Sequence, residues 1–181
     1  MKTCKFFLFF ILGVFITGSV FSQDTSRGGI IYGDKWAYMV TAPDGWIMDS
    51  NTWANRGVFG LFYEEGKKLG SQYNTPIIYI VQFPLSDAND NELSNFAETD
   101  IENYVKNGAK IQKLDKFINE NNTHYIYNVN FKNRQYECFV YTRYDKLGLL
   151  IIINANNEKQ RDELFPVMAE IINSIKIFDK E

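Results

Sequence analysis

Two stretches of this chain have no polar face: Ile77-Ile78-Tyr79-Ile80-Val81 and Leu149-Leu150-Ile151-Ile152-Ile153. A strand that is apolar on both sides must be covered on both sides, so these ribbons predict two central strands. The strands are predicted at 36–41, 46–48, 58–64, 77–83, 111–118, 123–132, 136–144 and 148–154, the ribbons lying within 77–83 and 148–154. In 123–132, Tyr125, Tyr127, Val129 and Phe131 share one face, whereas His124, Asn128, Asn130 and Lys132 share the other with Ile126, which predicts a half-exposed side. Pro43-Asp44-Gly45 supplies a fixed φ and a glycine that accepts φ > 0, and so predicts a tight turn. A polar loop, 66–74, separates 58–64 from 77–83. Lys132-Asn133-Arg134-Gln135 and Asp145-Lys146-Leu147-Gly148 are short enough to close hairpins, so the strands they join should be antiparallel neighbours.

The period changes at two places. Leu93, Phe96, Ala97, Ile101, Tyr104 and Val105 recur every three or four residues and predict an amphipathic helix over 92–107. Asp90 and Asn91 suit its start, Lys106 suits the negative end of its dipole, and Gly108 suits a left-handed stop. Asn157 with Gln160 resembles a capping box that opens a second helix ending near Ser174. Leu164, Phe165, Met168, Ile171, Ile172 and Ile175 mark its buried stripe, and Pro166 should bend it by removing a backbone bond. The tail Lys176 to Phe178 suits a short edge strand. Two strands without a polar face and two one-sided helices fit an α+β fold: a single antiparallel sheet with one helix on each face, an α/β/α sandwich.

Two local sequences resemble the PsbP-like family of small extracytoplasmic proteins. Tyr38-Met39-Val40-Thr41-Ala42-Pro43-Asp44-Gly45-Trp46 is similar to the family's opening aromatic strand and Pro-x-Gly-Trp turn. The closing helix from Phe165, running into Ser174-Ile175-Lys176-Ile177-Phe178, is similar to its last turn and terminal strand. The resemblance covers about 30–178 and implies the same sandwich. It also implies an accessory or binding protein in place of an enzyme, although the matching residues are turn and core positions and carry over no partner surface.

The chain has 181 residues, and its first 22 read as a secretory signal peptide: Lys2 and Lys5, an apolar run from Phe6 to Ile16, then Val20-Phe21-Ser22 before Gln23. The apolar run is too short for a bilayer core that needs about 20 residues of helix. Cys4 precedes it, so no lipid anchor is expected. A flexible linker is expected at 23–29 and a single domain at 30–181, in the periplasm or secreted. The mature chain then carries 17 basic and 22 acidic residues, a charge of −5, without a basic block. Lys67-Lys68 reads as a solvated turn, and no nucleic-acid partner is expected. Cys138 remains as a lone cysteine, expected to be a buried small hydrophobe and excluding an intramolecular disulfide.

Candidate chemistry is thin. His124 is the single histidine, and no Gly-x-Ser-x-Gly elbow accompanies it, so a hydrolase reading rests on one strand residue. One His and one Cys do not supply a zinc ligand set. Glu64-Glu65 is the obvious carboxylate pair, but consecutive strand residues point to opposite faces. Asp87 to Glu98 places oxygen-bearing residues at positions 1, 3, 5, 9 and 12 of an EF-hand-like loop, with Glu92 where glycine is required and no preceding helix. Helix capping explains the same residues. Trp36, Trp46 and Trp53, among Tyr32, Tyr38, Phe59, Phe62 and Tyr63, would form a stacking platform for a glycan or apolar ligand if exposed together, or one end of the core if buried. No catalytic, cofactor or metal residue is assigned. The leading expectation is an exported, non-catalytic accessory or binding module that engages a protein of the cell envelope. The alternative is a small-ligand binder built on Trp36 to Trp53.

Overall fold

The computed structural model describes residues 25–32, 36–69, 74–86, 90–116, 118–132 and 135–179. The leader expected at 1–22 and positions 87–89 of the EF-hand-like segment lie outside the described residues. Eleven strands and two helices follow in the order β1 (Thr25–Ser26), β2 (Gly28–Tyr32), β3 (Trp36–Thr41), β4 (Trp46–Asp49), β5 (Val58–Glu64), β6 (Ile77–Pro84), α1 (Asp90–Lys106), β7 (Lys110–Leu114), β8 (His124–Asn130), β9 (Tyr136–Tyr144), β10 (Leu147–Ala155), α2 (Glu158–Ser174) and β11 (Lys176–Asp179).

The strands form two antiparallel sheets, not the single sheet expected. The larger has eight strands in the order β1-β4-β5-β6-β10-β9-β8-β7, and the smaller has three in the order β11-β3-β2. The Pro43-Asp44-Gly45 turn is the reason. Its Gly45 takes φ 77° as expected, but β3 and β4 do not pair across it. The chain changes sheet there: β3 pairs with β2 and β11, and β4 pairs with β1 and β5. A turn signal fixes a reversal of direction and leaves the pairing partner to tertiary packing. Of the stretch expected to be a linker, 23–29, the described residues 25–29 likewise enter both sheets, Thr25 opposite Asp49 and Gly28 opposite Thr41.

The two apolar ribbons are β6 and β10, paired at the centre of the large sheet with Ile151 opposite Ile80. Both of their faces are covered. On one face Ile78, Ile80, Leu149, Ile151 and Ile153 pack with Leu164, Met168, Ile171 and Ile172 of α2 and with Ile31, Tyr38 and Val40 of the small sheet. On the other, Leu150 and Ile152 pack with Leu93, Ala97 and Ile101 of α1. Beyond α1 on that face, Val58, Leu61, Tyr63 and Ile77 form a separate cluster beneath Trp53 and Leu69. The sheet is therefore a wall with α1 on one side and α2 beside the small sheet on the other.

Helix ends follow the sequence signals closely. Asn157 caps α2 by accepting from Gln160 N at 2.9 Å, while the Gln160 side chain accepts from Asn156 N, one residue earlier than the reciprocal bond of a capping box. Pro166 sits within α2 on its exposed side. Gly108 ends α1 at φ 85°, with Gly108 N donating to Val105 O and Ala109 N to Tyr104 O. Gly148 has a different role: a Cβ there would lie 2.1 Å from the Phe83 ring, its cross-strand partner. That ring occupies the space a side chain would take and stacks on Phe96, with centroids 3.9 Å apart and planes 4° apart.

Candidate partner-binding face

Strand alternation gives the three-stranded sheet one buried and one open face. Ile31, Tyr38 and Ile177 form a row facing inward, where Gln82 Nε2 on β6 donates to Tyr38 Oη at 3.1 Å and ties the small sheet to the large one. Burial pushes the Tyr38 phenol above its ordinary pKa, so it stays a neutral acceptor. Outward, the register aligns Tyr32, Ala37 and Phe178 in one row and Ile30, Met39 and Lys176 in the next. Tyr32 is 68 % exposed, Ile30 50 % and Phe178 45 %. These are three of the five large exposed apolar side chains among the described residues. Scattered apolar residues on a surface need no explanation, but a clustered row does.

The face is held from two directions. Gly28 permits close approach to β3, since a Cβ would lie 2.9 Å from Val40 O. At the end of α2, Ser174 Oγ accepts from Thr41 N at 2.9 Å and donates to Ile171 O at 2.7 Å, seating the helix terminus on β3 before β11 begins. Sequence reasoning misses Ile30, and places Tyr32 only among the aromatic rings around Trp36, because 23–29 reads as a polar linker and the strand after it goes unrecognised. The signal was present in Gly-Gly-Ile-Ile-Tyr, whose last three residues favour extended chain.

The other candidate residues fall elsewhere. Trp46 is buried and Trp36 is packed against the same core on the α2 side, whereas Trp53 lies on the opposite side of the large sheet, edge-on to Tyr79 at 6.1 Å and under Arg56 at 5.8 Å. The three tryptophans therefore make no common platform. Glu64 and Glu65 are exposed at the end of β5, and Glu64 lies 4.0 Å from Lys67. In the EF-hand-like segment, Glu92 accepts from Ser86 N at 2.7 Å and Glu98 from Ser94 Oγ at 3.2 Å, bonds that serve the start of α1. No group of three His, Cys, Asp or Glu among the described residues is placed to hold a metal. Cys138 is buried, and burial pushes its thiol up to about 12.

His124 faces the α2 side, opposite Thr142. Its Nε2 lies 3.4 Å from Asn119 Oδ1, its Nδ1 is buried without a partner among the described residues, and burial lowers its pKa to about 4. Thr142 is fully buried, so its hydroxyl has no path to a substrate. A polar cleft of about 420 Å³ lies nearby, lined by Glu120, Asn121, Asn122, Thr123, Arg143 and Asp145. The remaining perturbed acid is Glu137, on the α1 face of β9. Its Oε1 accepts from Asn154 Nδ2 at 2.6 Å, and burial raises its pKa to about 7.

No family model and no curated protein matches the sequence. Among solved structures, the fold is similar to the solution structure of cyanobacterial PsbP (CyanoP) from Synechocystis sp. PCC 6803, at 14% identity and a TM-score of 0.49, over 89% of this chain and 96% of that one. This is the family that the opening strand-turn and closing helix resemble. The chain is also similar to a crystal structure from Bacteroides thetaiotaomicron VPI-5482 at 10% identity and a TM-score of 0.40, covering 80% of this chain and 45% of that one. It thus spans less than half the length of that second chain. No described helix is long and apolar enough to cross a membrane.

Proposed function

We propose that this protein is an exported, non-catalytic accessory module that engages a protein partner of the cell envelope through the outer face of its three-stranded sheet. The observation that carries the reading is the alignment of Tyr32, Ala37 and Phe178 in one row beside Ile30 and Met39 in the next, with three large apolar side chains, Tyr32, Ile30 and Phe178, exposed to water. Apolar contact of this kind, with aromatics at its centre, is what a partner's complementary surface recognises. The export half of the reading rests on the leader pattern at 1–22. The non-catalytic half is supported by a histidine whose one ring nitrogen is buried and whose neighbouring hydroxyl is closed to solvent. The small-ligand alternative loses its site, because Trp36, Trp46 and Trp53 are divided between the two faces of the large sheet.

The test is site-specific photo-crosslinking in intact envelopes. A crosslinker at residue 32 or 178 should trap one discrete protein, and a crosslinker at exposed Lys159 should not. The double substitution Tyr32→Ser, Phe178→Ser should leave the melting temperature within a degree or two and abolish capture by affinity. Capture that survives the double substitution overturns the reading.

A further inference from the structure

We propose that His124 on β8 and Thr142 on β9 hold one buried water molecule between them, and that this bridge is the inner end of a chain of bonds fastening β9 to α2. The observation behind it is a pair of buried polar atoms on opposing residues, neither with a partner among the described residues: His124 Nδ1 and Thr142 Oγ1. Both side chains stand on the α2 side of the large sheet, directly opposite each other across an antiparallel pair. Such partners have Cβ atoms about 4.5–5.5 Å apart, yet these two side chains do not bond directly. A buried polar atom left unmet is costly, and native proteins meet nearly all of them with protein groups or ordered water.

The tautomer of the imidazole follows from its other nitrogen. Asn119 Oδ1 accepts from Asn121 N at 3.0 Å and Asn122 N at 3.2 Å, while Asn119 Nδ2 donates to Asn173 Oδ1 at 2.7 Å, so the amide presents its oxygen to His124. Nε2, 3.4 Å from that oxygen, therefore carries the proton. Nδ1 is left as a bare acceptor that needs a donor, and burial, which lowers the ring's pKa to about 4, keeps it neutral. Thr142 is fully buried and has little choice of partner. Its row across the sheet runs His124, Thr142, Leu149, Gln82. Leu149 offers no polar atom, and the Gln82 amide, two strands away, donates to Tyr38. Its same-face neighbours on β9 are Val140 and Tyr144, whose hydroxyl donates to Ile172 O at 3.0 Å. One water that donates to Nδ1 and shares a hydrogen bond with Oγ1 meets both atoms, and two partners are enough to hold a buried water. The bridge completes a chain from Thr142 through His124 and Asn119 to Asn173 in the last turn of α2. It uses no residue of the outer face and goes beyond the partner-binding reading.

Nuclear magnetic resonance on the exported protein tests the proposal. A long-lived water should give cross-peaks to the Thr142 methyl group and to the His124 ring protons, and the ring nitrogens should report a proton on Nε2 and a hydrogen-bonded acceptor at Nδ1. Thr142→Val keeps the shape of the side chain and removes the hydroxyl. In that variant the water cross-peaks should vanish, and the Nδ1 resonance should move downfield toward that of a free ring nitrogen. Thr142→Ser should keep both signals at His124, and it decides the matter if the valine variant does not fold. A wild-type ring protonated on Nδ1 overturns the proposal, as does a wild type without a bound-water cross-peak at either residue. So does a Thr142→Val protein that melts higher than wild type, because valine relieves an orphan hydroxyl and only costs stability where the hydroxyl is bridged.

Discussion

Stability of this protein should depend on pH through two groups, one buried and one half-buried, whose effects oppose each other. Glu137 points from β9 toward α1, in a row with Val129 and Asn154, and Tyr79 and Tyr104 approach it from β6 and α1. Burial raises its pKa from 4.5 to about 7, partly offset by the bond from Asn154. The folded state thus keeps a proton that the unfolded chain has lost, so the contribution is full below pH 4.5 and disappears as pH rises through 7. Each pH unit in that window is worth about 1.4 kcal/mol, so the loss is about 3 kcal/mol. His124 has the reverse sign. Its pKa falls from 6.5 to about 4, so the folded state refuses a proton that the unfolded chain binds, and stability is lost as pH drops from 6.5 toward 4. The ring is only partly buried, and solvent screening reduces this effect to about 2 kcal/mol. Urea unfolding from pH 4.5 to 7.5 should therefore show the wild-type protein losing only about 1 kcal/mol as pH rises. Glu137→Gln should turn that decline into a gain of about 2 kcal/mol, and His124→Gln should steepen it to about 3 kcal/mol. If Glu137→Gln keeps the wild-type slope, the buried acid is not the titrating group and the argument fails.

Three further outcomes follow from packing. Gly148→Ala forces the Phe83 ring off its partner and breaks its stack on Phe96, and should destabilise by about 1–3 kcal/mol in thermal melts, with no loss meaning that the ring moves freely. Asn157→Ala removes the cap on α2 and should cost about 1 kcal/mol, recovered in Asn157→Ser. Cys138 should resist a thiol reagent in the native protein and react at once in denaturant, because burial holds it near pKa 12; fast native labelling would show that the β9 region opens.

The parts of the fold visible in the sequence were those with a strong local signature. Two unbroken ribbons gave the centre of the large sheet, and the three- and four-residue spacing with Asn157 and Gly108 gave both helices within two residues of their ends. The second sheet was invisible because its strands come from distant parts of the chain, with 133 residues between Thr41 and the Ser174 hydroxyl that seats it. Periodicity reports which face of a strand is buried and says nothing of which strand lies alongside. The candidate face was lost for the same reason: Tyr32 joins a row with Phe178, beside Ile30 in the next, only after β11 pairs with β3. The aromatic cluster failed in the opposite sense. Trp36, Trp46 and Trp53 are close in sequence, but the sheet change at Gly45 and the alternation of strands send them to different sides.

The pairing of β11 with β3 makes this surface the last thing the chain completes. Its middle strand leaves the ribosome more than a hundred residues before Phe178 arrives to finish the row. A chain cut between α2 and β11 would keep both ribbons and both helices while lacking the third member of the row. Any contact made through this face would then depend on the last described strand being present.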